Sequence, residues 1–150
     1  MRTSDNNILG YNLSSNEKYI KGNPIIIKFG LKNVSKSDLW VLKWYTPLEG
    51  IKGKIFRVIC DGKEVLYEGR MIKRGSPTKD DYVHIESNKS VYSQVNLSEV
   101  YVLTDCSECL VKFNGKIWDI SKSADVLPKK NGEFISLTIY GNSITFKIVN

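Results

Sequence analysis

A chain of 150 residues has the length of one compact domain able to bury a core, which excludes two large domains. Its 41% hydrophobic and 25% charged residues exclude a disordered chain, and no apolar run approaches the roughly 18 to 20 residues that span a bilayer. The net charge of +6 is uneven: fourteen Lys and Arg stand against seven Asp and Glu through Gly75, and eight against nine from Ser76 on. Such a surplus steers nucleic acid, anionic lipid or an acidic protein surface, and it also keeps a small domain dispersed. With no run of five basic residues, no basic helix and no RNP-type aromatic motif, the charge does not point to nucleic acid. Met1 to Asn16 is polar and lacks the apolar stretch of a signal peptide. The expected compartment is therefore the cytoplasm by default, without membrane insertion, although export by a dedicated non-classical machine leaves no readable mark.

Along the chain the hydrophobic period is two. Residues 1–10 are expected to be flexible. Ile25, Ile27, Phe29 and Leu31 share one face against Lys28 and Lys32 on the other, the pattern of a half-buried strand. Trp40, Leu42 and Trp44 alternate likewise, as do Phe56, Val58 and Cys60, then Val65 and Tyr67. Asp61-Gly62 between the last two runs supplies the left-handed residues of a hairpin turn. Val91, Ser93, Val95 and Leu97 form another alternating run, followed by Ser98 to Leu103, a single helical turn at most. Val111 and Phe113 lead through Asn114-Gly115 to Ile117 and Trp118, which predicts a second hairpin. Ser121 to Gly132 reads as a surface loop, and Glu133 to Tyr140 with Ser143 to Val149 flank Gly141-Asn142 as a closing pair. Some seven to nine short strands in one domain spanning 1–150 predict an all-β fold, a single immunoglobulin-like antiparallel sandwich, with a barrel as the alternative.

Chemistry-bearing residues are few. A single histidine, His84, rules out a His-Glu-x-x-His zinc site, and its place in a strand argues for a surface or edge residue rather than a catalytic base. Cys106-Ser107-Glu108-Cys109 has the spacing of a redox pair or of half a zinc site, which makes Cys106 and Cys109 weak metal candidates. A thioredoxin-like pair opens a helix in an α/β fold, however, and a structural zinc would need Cys60 and a fourth ligand. Cys60 patterns as a small buried apolar residue. Three cysteines fit free thiols in a reducing compartment better than a secreted disulfide scaffold. Asp80-Asp81 reads as a solvated turn, and no phosphate loop or nucleophile elbow occurs. Trp40, Trp44 and Trp118 at alternating positions are expected in the core rather than on a sugar-binding shelf. Neither a catalytic residue nor a cofactor is expected.

The strings Val41 to Gly50 (V-L-K-W-Y-T-P-L-E-G), Lys73 to Thr78 (K-R-G-S-P-T), Asp81-Tyr82-Val83 and Val95 to Tyr101, with Phe56-Arg57-Val58 and Asp61-Gly62-Lys63, are specific. Together they resemble the non-catalytic N-terminal domain of the deuterolysin and peptidyl-Lys metallopeptidases, the aspzincin group, over roughly Tyr11 to Val149. In that family a β-rich domain precedes a zinc protease domain, and no residue here matches a family zinc ligand. The resemblance implies a stand-alone accessory domain, non-enzymatic, acting by surface contact on a protein partner such as a protease or secretion component. A fainter likeness of Ile25 to Asn33 and Phe56 to Val65 to small sandwich inhibitors of bacterial intracellular proteinases makes a proteinase inhibitor the alternative. A redox or metal-binding protein using Cys106 and Cys109 is the second. Where the family has a short polar turn before the strand ending in Phe113, this chain has its Cys-x-x-Cys.

Two loops are the expected binding surface. Thr46-Pro47 turns the chain before Leu48-Glu49-Gly50, placing an apolar side chain at an exposed tip. Arg70, Lys73 and Arg74 lead into Gly75-Ser76-Pro77-Thr78. Pro47, Leu48, Glu49, Arg70, Lys73, Arg74 and Pro77 are thus the candidate contact residues, on the reasoning that loops on a rigid sandwich carry recognition.

Overall fold

The computed structural model describes residues 7–150, except for the side chain of Asn131. The strands are β1 (Leu9–Ser14), β2 (Lys18–Ile20), β3 (Ile26–Asn33), β4 (Leu39–Leu42), β5 (Phe56–Cys60), β6 (Lys63–Val65) and β7 (Tyr82–Ile85). They continue as β8 (Ser90–Asn96), β9 (Glu108–Phe113), β10 (Lys116–Ile117), β11 (Ile120–Ser121), β12 (Leu137–Thr138), β13 (Tyr140–Gly141) and β14 (Ile144–Val149). The helical segments among the described residues are single 3₁₀ turns, one of them Leu97–Glu99 where a lone turn is expected. Residues 1–6 of the expected flexible leader lie outside the described residues, while Leu9 and Gly10 belong to β1 and pair with Asn33 and Lys32.

Two sheets face each other, one in the order β13-β1-β3-β8 and one in the order β2-β14-β9-β5-β6. Their inner faces meet at Phe29 and Phe113, with ring centroids 5.3 Å apart, and at Tyr11 and Phe113, 5.1 Å apart. Ile27, Phe29 and Leu31 from β3 and Val58, Cys109 and Val111 from the other sheet are fully buried there. The all-β, immunoglobulin-like sandwich read from the period-two pattern is the observed fold. Pairing is antiparallel except at two short edges, β13 against β1 and β2 against β14.

A third sheet, β11-β4-β7, turns one face to the main core and has part of the other covered by a second apolar cluster. Leu39, Val41 and Ile85 enter the main core, while Leu42 and Tyr82 join Trp44 and Leu127 in a second cluster flanked by Trp40, Trp118 and Phe134. Of the expected Trp40-Leu42-Trp44 face, Trp40 and Leu42 do share a side of β4, and Trp44 sits in the turn beyond it.

The Asp61-Gly62 hairpin forms as read: φ is +49° and +85° at the two turn residues, and Cys60 pairs with Lys63. The other two expected hairpins do not form. After β9 the chain turns at Gly115 (φ +73°), and β10 pairs with β12. Both sides of β9 are already taken by β5 and β14, so no edge remains for Lys116-Ile117. A Cβ at Gly115 would lie 2.5 Å from the carbonyl oxygen of Ile139, so this approach needs glycine for space as well as for φ. Likewise β14 is flanked by β9 and β2, and the chain before Gly141-Asn142 runs in the opposite sheet. Asn142 carries the crossing: its side chain accepts from Leu13 N (2.7 Å) and donates to Leu13 O (2.8 Å), standing in for a strand neighbour. Among the described residues no helix is long and apolar enough to cross a membrane.

Candidate functional site

The first expected loop is a folded-back turn. Tyr45 takes φ +57°, Thr46 is fully buried, and its hydroxyl donates to Lys43 O (2.8 Å) and accepts from Leu48 N (3.1 Å). These bonds pull Pro47 inward, where its carbonyl accepts from the Ser93 hydroxyl of β8 (2.8 Å). Pro47 is buried and Leu48 packs against the main core, which corrects the expectation of an exposed apolar tip at Leu48. The cause is Thr46, whose short polar side chain satisfies the turn from inside and rolls the apolar residues under it.

The second loop docks onto the first. The Arg74 guanidinium pairs with the Glu49 carboxylate, both nearly buried at 13% and 9% side-chain exposure, and Glu49 Oε2 also accepts from Tyr45 N (2.7 Å). The guanidinium carbon lies 4.8 Å from the Trp44 ring centroid and 4.6 Å from that of Tyr45, a stacked, desolvated cation–π arrangement. Among the described residues Arg74 Nε is buried without a hydrogen-bond partner. Outside this clasp, Tyr45 contacts Trp118 (4.6 Å between centroids) and Lys116 Nζ lies 4.6 Å from the Trp118 ring. Pro77 is buried, and Thr78 with Asp81 caps the 3₁₀ turn Lys79–Asp81 that enters β7.

Between β6 and this clasp the chain is exposed. Leu66 is 73% and Met71 87% exposed, Ile72 is partly so, and Arg70 and Lys73 face solvent. The segment is nevertheless tied at intervals: Glu68 N donates to Val100 O (2.8 Å) and the Tyr67 hydroxyl donates to Arg70 O (2.9 Å). Of the seven candidate contact residues, Arg70 and Lys73 are thus surface side chains. The other five build the support. Met71, Leu66 and Ile72 were missed because an apolar residue in a long loop carries no period to show whether it is in or out.

The cysteines are arranged differently from the sequence reading. Cys60 and Cys106 form a disulfide, with Cα atoms 5.5 Å apart, and Cys109 is the free, fully buried thiol. This corrects the reading of three free thiols and of a Cys106/Cys109 pair, because the hairpin turn at Asp61 brings the end of β5 against the segment entering β9. Cys109 has the buried apolar role expected of Cys60, and burial, with Asp61 nearby, pushes its thiol up to about 12.

His84 stands on the outer face of β7, stacked on Trp40 (4.3 Å, nearly parallel) and 2.9 Å from Asp38 through Nε2. That hydrogen bond, followed by one from Ser87 N, holds the Asp38 carboxyl below its ordinary range. Tyr101 is buried with its hydroxyl on Phe56 O (3.3 Å), and burial first, then the charges of Tyr67 and Glu64, push its pKa up to about 12. A phenol that keeps its proton to pH 12 when folded but ionises near 10 when unfolded stabilises the fold fully below pH 10. That contribution is lost as pH rises from 10 toward 12. Phenolate absorbance should show Tyr101 ionising above the exposed tyrosines and with loss of structure, a step that Tyr101→Phe lacks; ionisation in step with the exposed tyrosines of the folded chain would contradict this.

No known family profile matches this chain. It is 28% identical over 87 residues to an extracellular protease of Aeromonas hydrophila, a match covering 58% of this chain and a quarter of that protein's length. Solved structures of a CARDB domain from Pyrococcus furiosus align loosely. A solution NMR structure has TM-score 0.40 at 7% identity, covering 97% of this chain and 98% of that one. A crystal structure in complex with di-metal ions has TM-score 0.38 at 8% identity, covering 94% and 92%. The sequence similarity agrees with a protease-associated accessory domain and does not single out the deuterolysin group.

Proposed function

We propose that this chain is a non-catalytic interaction module of the protease-accessory kind that engages a protein partner through Leu66 to Lys73. The observation carrying this reading is a solvent-facing run of Leu66, Met71 and Ile72 beside Arg70 and Lys73, held at both ends by Glu68 N on Val100 O and by the Arg74–Glu49 clasp. Exposed apolar side chains on a tied loop lose little conformational freedom on docking and are the usual anchors of an interface. The flanking positive charge favours an acidic partner surface. The two strings that carry the aspzincin resemblance meet at Glu49 and Arg74, so in this reading they support the surface rather than form it, and the finer proposal is a zinc protease of that group as partner.

Titrating the chain against a purified aspzincin-type catalytic domain, followed by anisotropy and by peptide hydrolysis, tests the proposal. Saturable binding weakened about tenfold or more by Met71→Asp with Arg70→Glu is the expected result. A fall in hydrolysis on binding selects the inhibitor reading, and unchanged hydrolysis the accessory one. Absence of binding removes the protease partner, and equal binding by the variant removes the surface.

A further inference from the structure

The corner where β5 turns into β6 gathers more chemistry than a disulfide needs. Cys60 Sγ, Cys106 Sγ and a carboxylate oxygen of Asp61 lie within 4.8 Å of one another. Asp61 is aimed rather than loose: Oδ1 accepts from Glu108 N (2.9 Å) and Oδ2 from Ser107 N (3.0 Å), while Cys60 Sγ is 3.6 Å from Oδ2. The two amides belong to the Cys106-Ser107-Glu108-Cys109 turn, so the turn that carries one sulfur also orients the carboxylate. Cys60 is half-buried and Asp61 exposed, which leaves the corner open to solvent on one side.

We infer that, once the Cys60–Cys106 disulfide is reduced, this corner is a zinc site with Cys60, Cys106 and Asp61 as ligands and water in the fourth position. Tetrahedral zinc with sulfur at about 2.3 Å and oxygen at about 2.1 Å sets its donors roughly 3.5 to 3.8 Å apart, inside the 4.8 Å that the three groups span. Two soft thiolates and one carboxylate suit zinc over calcium or magnesium. Amide bonds to the ligating carboxylate are the outer support such sites carry.

The chemistry balances with a named reductant. A dithiol gives two electrons and two protons to the Cys60–Cys106 bond and itself becomes a disulfide. Zinc then replaces the two thiol protons, which are released to solvent. Cys109 is excluded from the ligand set. It stands opposite Cys60 in the ladder, but it is fully buried in the core and its sulfur is not among the three donors that lie within 4.8 Å of one another. The site is therefore redox-gated: the oxidised chain closes the two sulfurs on each other, and the reduced chain offers them to metal.

The test is titration of the phosphine-reduced full chain with Co²⁺, read by thiolate-to-cobalt charge-transfer absorption, then displacement by Zn²⁺. One metal per chain is expected, with none bound by the oxidised chain or by reduced Cys106→Ser. Affinity should fall about tenfold or more in Asp61→Asn, which keeps the left-handed turn residue, and stay unchanged in Cys109→Ser. No binding by the reduced chain at micromolar metal overturns the site, as does binding that survives Cys106→Ser or is lost in Cys109→Ser. Should the reduced chain lose structure, circular dichroism with and without Zn²⁺ decides: recovery of the native signal supports the site, and no recovery overturns it.

Discussion

Asp119→Ala is expected to cost about 3–5 kcal/mol of folding stability, the range for removing one partner of a buried charge pair. Asp119 follows Trp118 and precedes the first residue of β11, and it is fully buried beneath the second cluster. Its Oδ1 accepts from Lys129 Nζ (2.8 Å) and Ile135 N (2.9 Å), and its Oδ2 from the Tyr82 hydroxyl (2.6 Å). Lys129, itself only 11% exposed, also donates to Ile120 O (2.8 Å). These bonds tie the 122–135 loop to β7, so one carboxylate serves three donors, two from that loop and one from β7. Without it the ammonium is left buried with a single carbonyl, and a hydroxyl and an amide lose their acceptor.

Tyr82→Phe removes only one donor and should cost about 1–2 kcal/mol. Its hydroxyl is strongly held in the protonated, donating form, by burial first and by Asp119 second. Denaturant unfolding at neutral pH with an unchanged m-value is the measurement. A loss under about 1 kcal/mol in Asp119→Ala would show that the network carries no net stability.

Arg74→Ala should destabilise by about 3 kcal/mol and also loosen the proposed docking loop. The substitution strips the charge from between Trp44 and Tyr45 and leaves the Glu49 carboxylate, 9% exposed, with only the Tyr45 amide. Arg74→Lys is expected to recover only part of the loss, because an ammonium cannot stack flat between two rings as a guanidinium does. Arg70 and Lys73 are exposed trypsin sites just upstream of the clasp. Trypsin should therefore cut at them about tenfold faster in Arg74→Ala, since opening the loop no longer breaks the ion pair. Equal cleavage rates would mean that the loop is held from the Glu68 side alone.

Much of the β content was legible because burial on one face of a strand writes itself as alternation. Ile27, Phe29 and Leu31 show this on β3, and Phe146 with Ile148 on the last strand. The Asp61-Gly62 hairpin was legible because its turn chemistry is local: two residues tolerate positive φ and the flanking strands pair at once. The Asn114-Gly115 and Gly141-Asn142 turns carry the same local signal and yet close no hairpin. Whether a turn joins neighbours depends on which strand edges remain free, and β9 and β14 already have a partner on each side.

The candidate site divides along the same line. Sequence by itself determined most strand faces and the basic first half. It also marked Arg70 and Lys73 as surface cations. Only the tertiary structure decided that Arg74 and Glu49, twenty-five positions apart, are a desolvated pair between two rings rather than two exposed contacts. It likewise decided that Cys60 bonds Cys106 across 46 residues, and that Asp119, Lys129 and Tyr82 share one buried network. Each of these joins side chains across segments distant in sequence. Their partner choice follows from where the sheets bring backbone together, and no spacing within the chain encodes that.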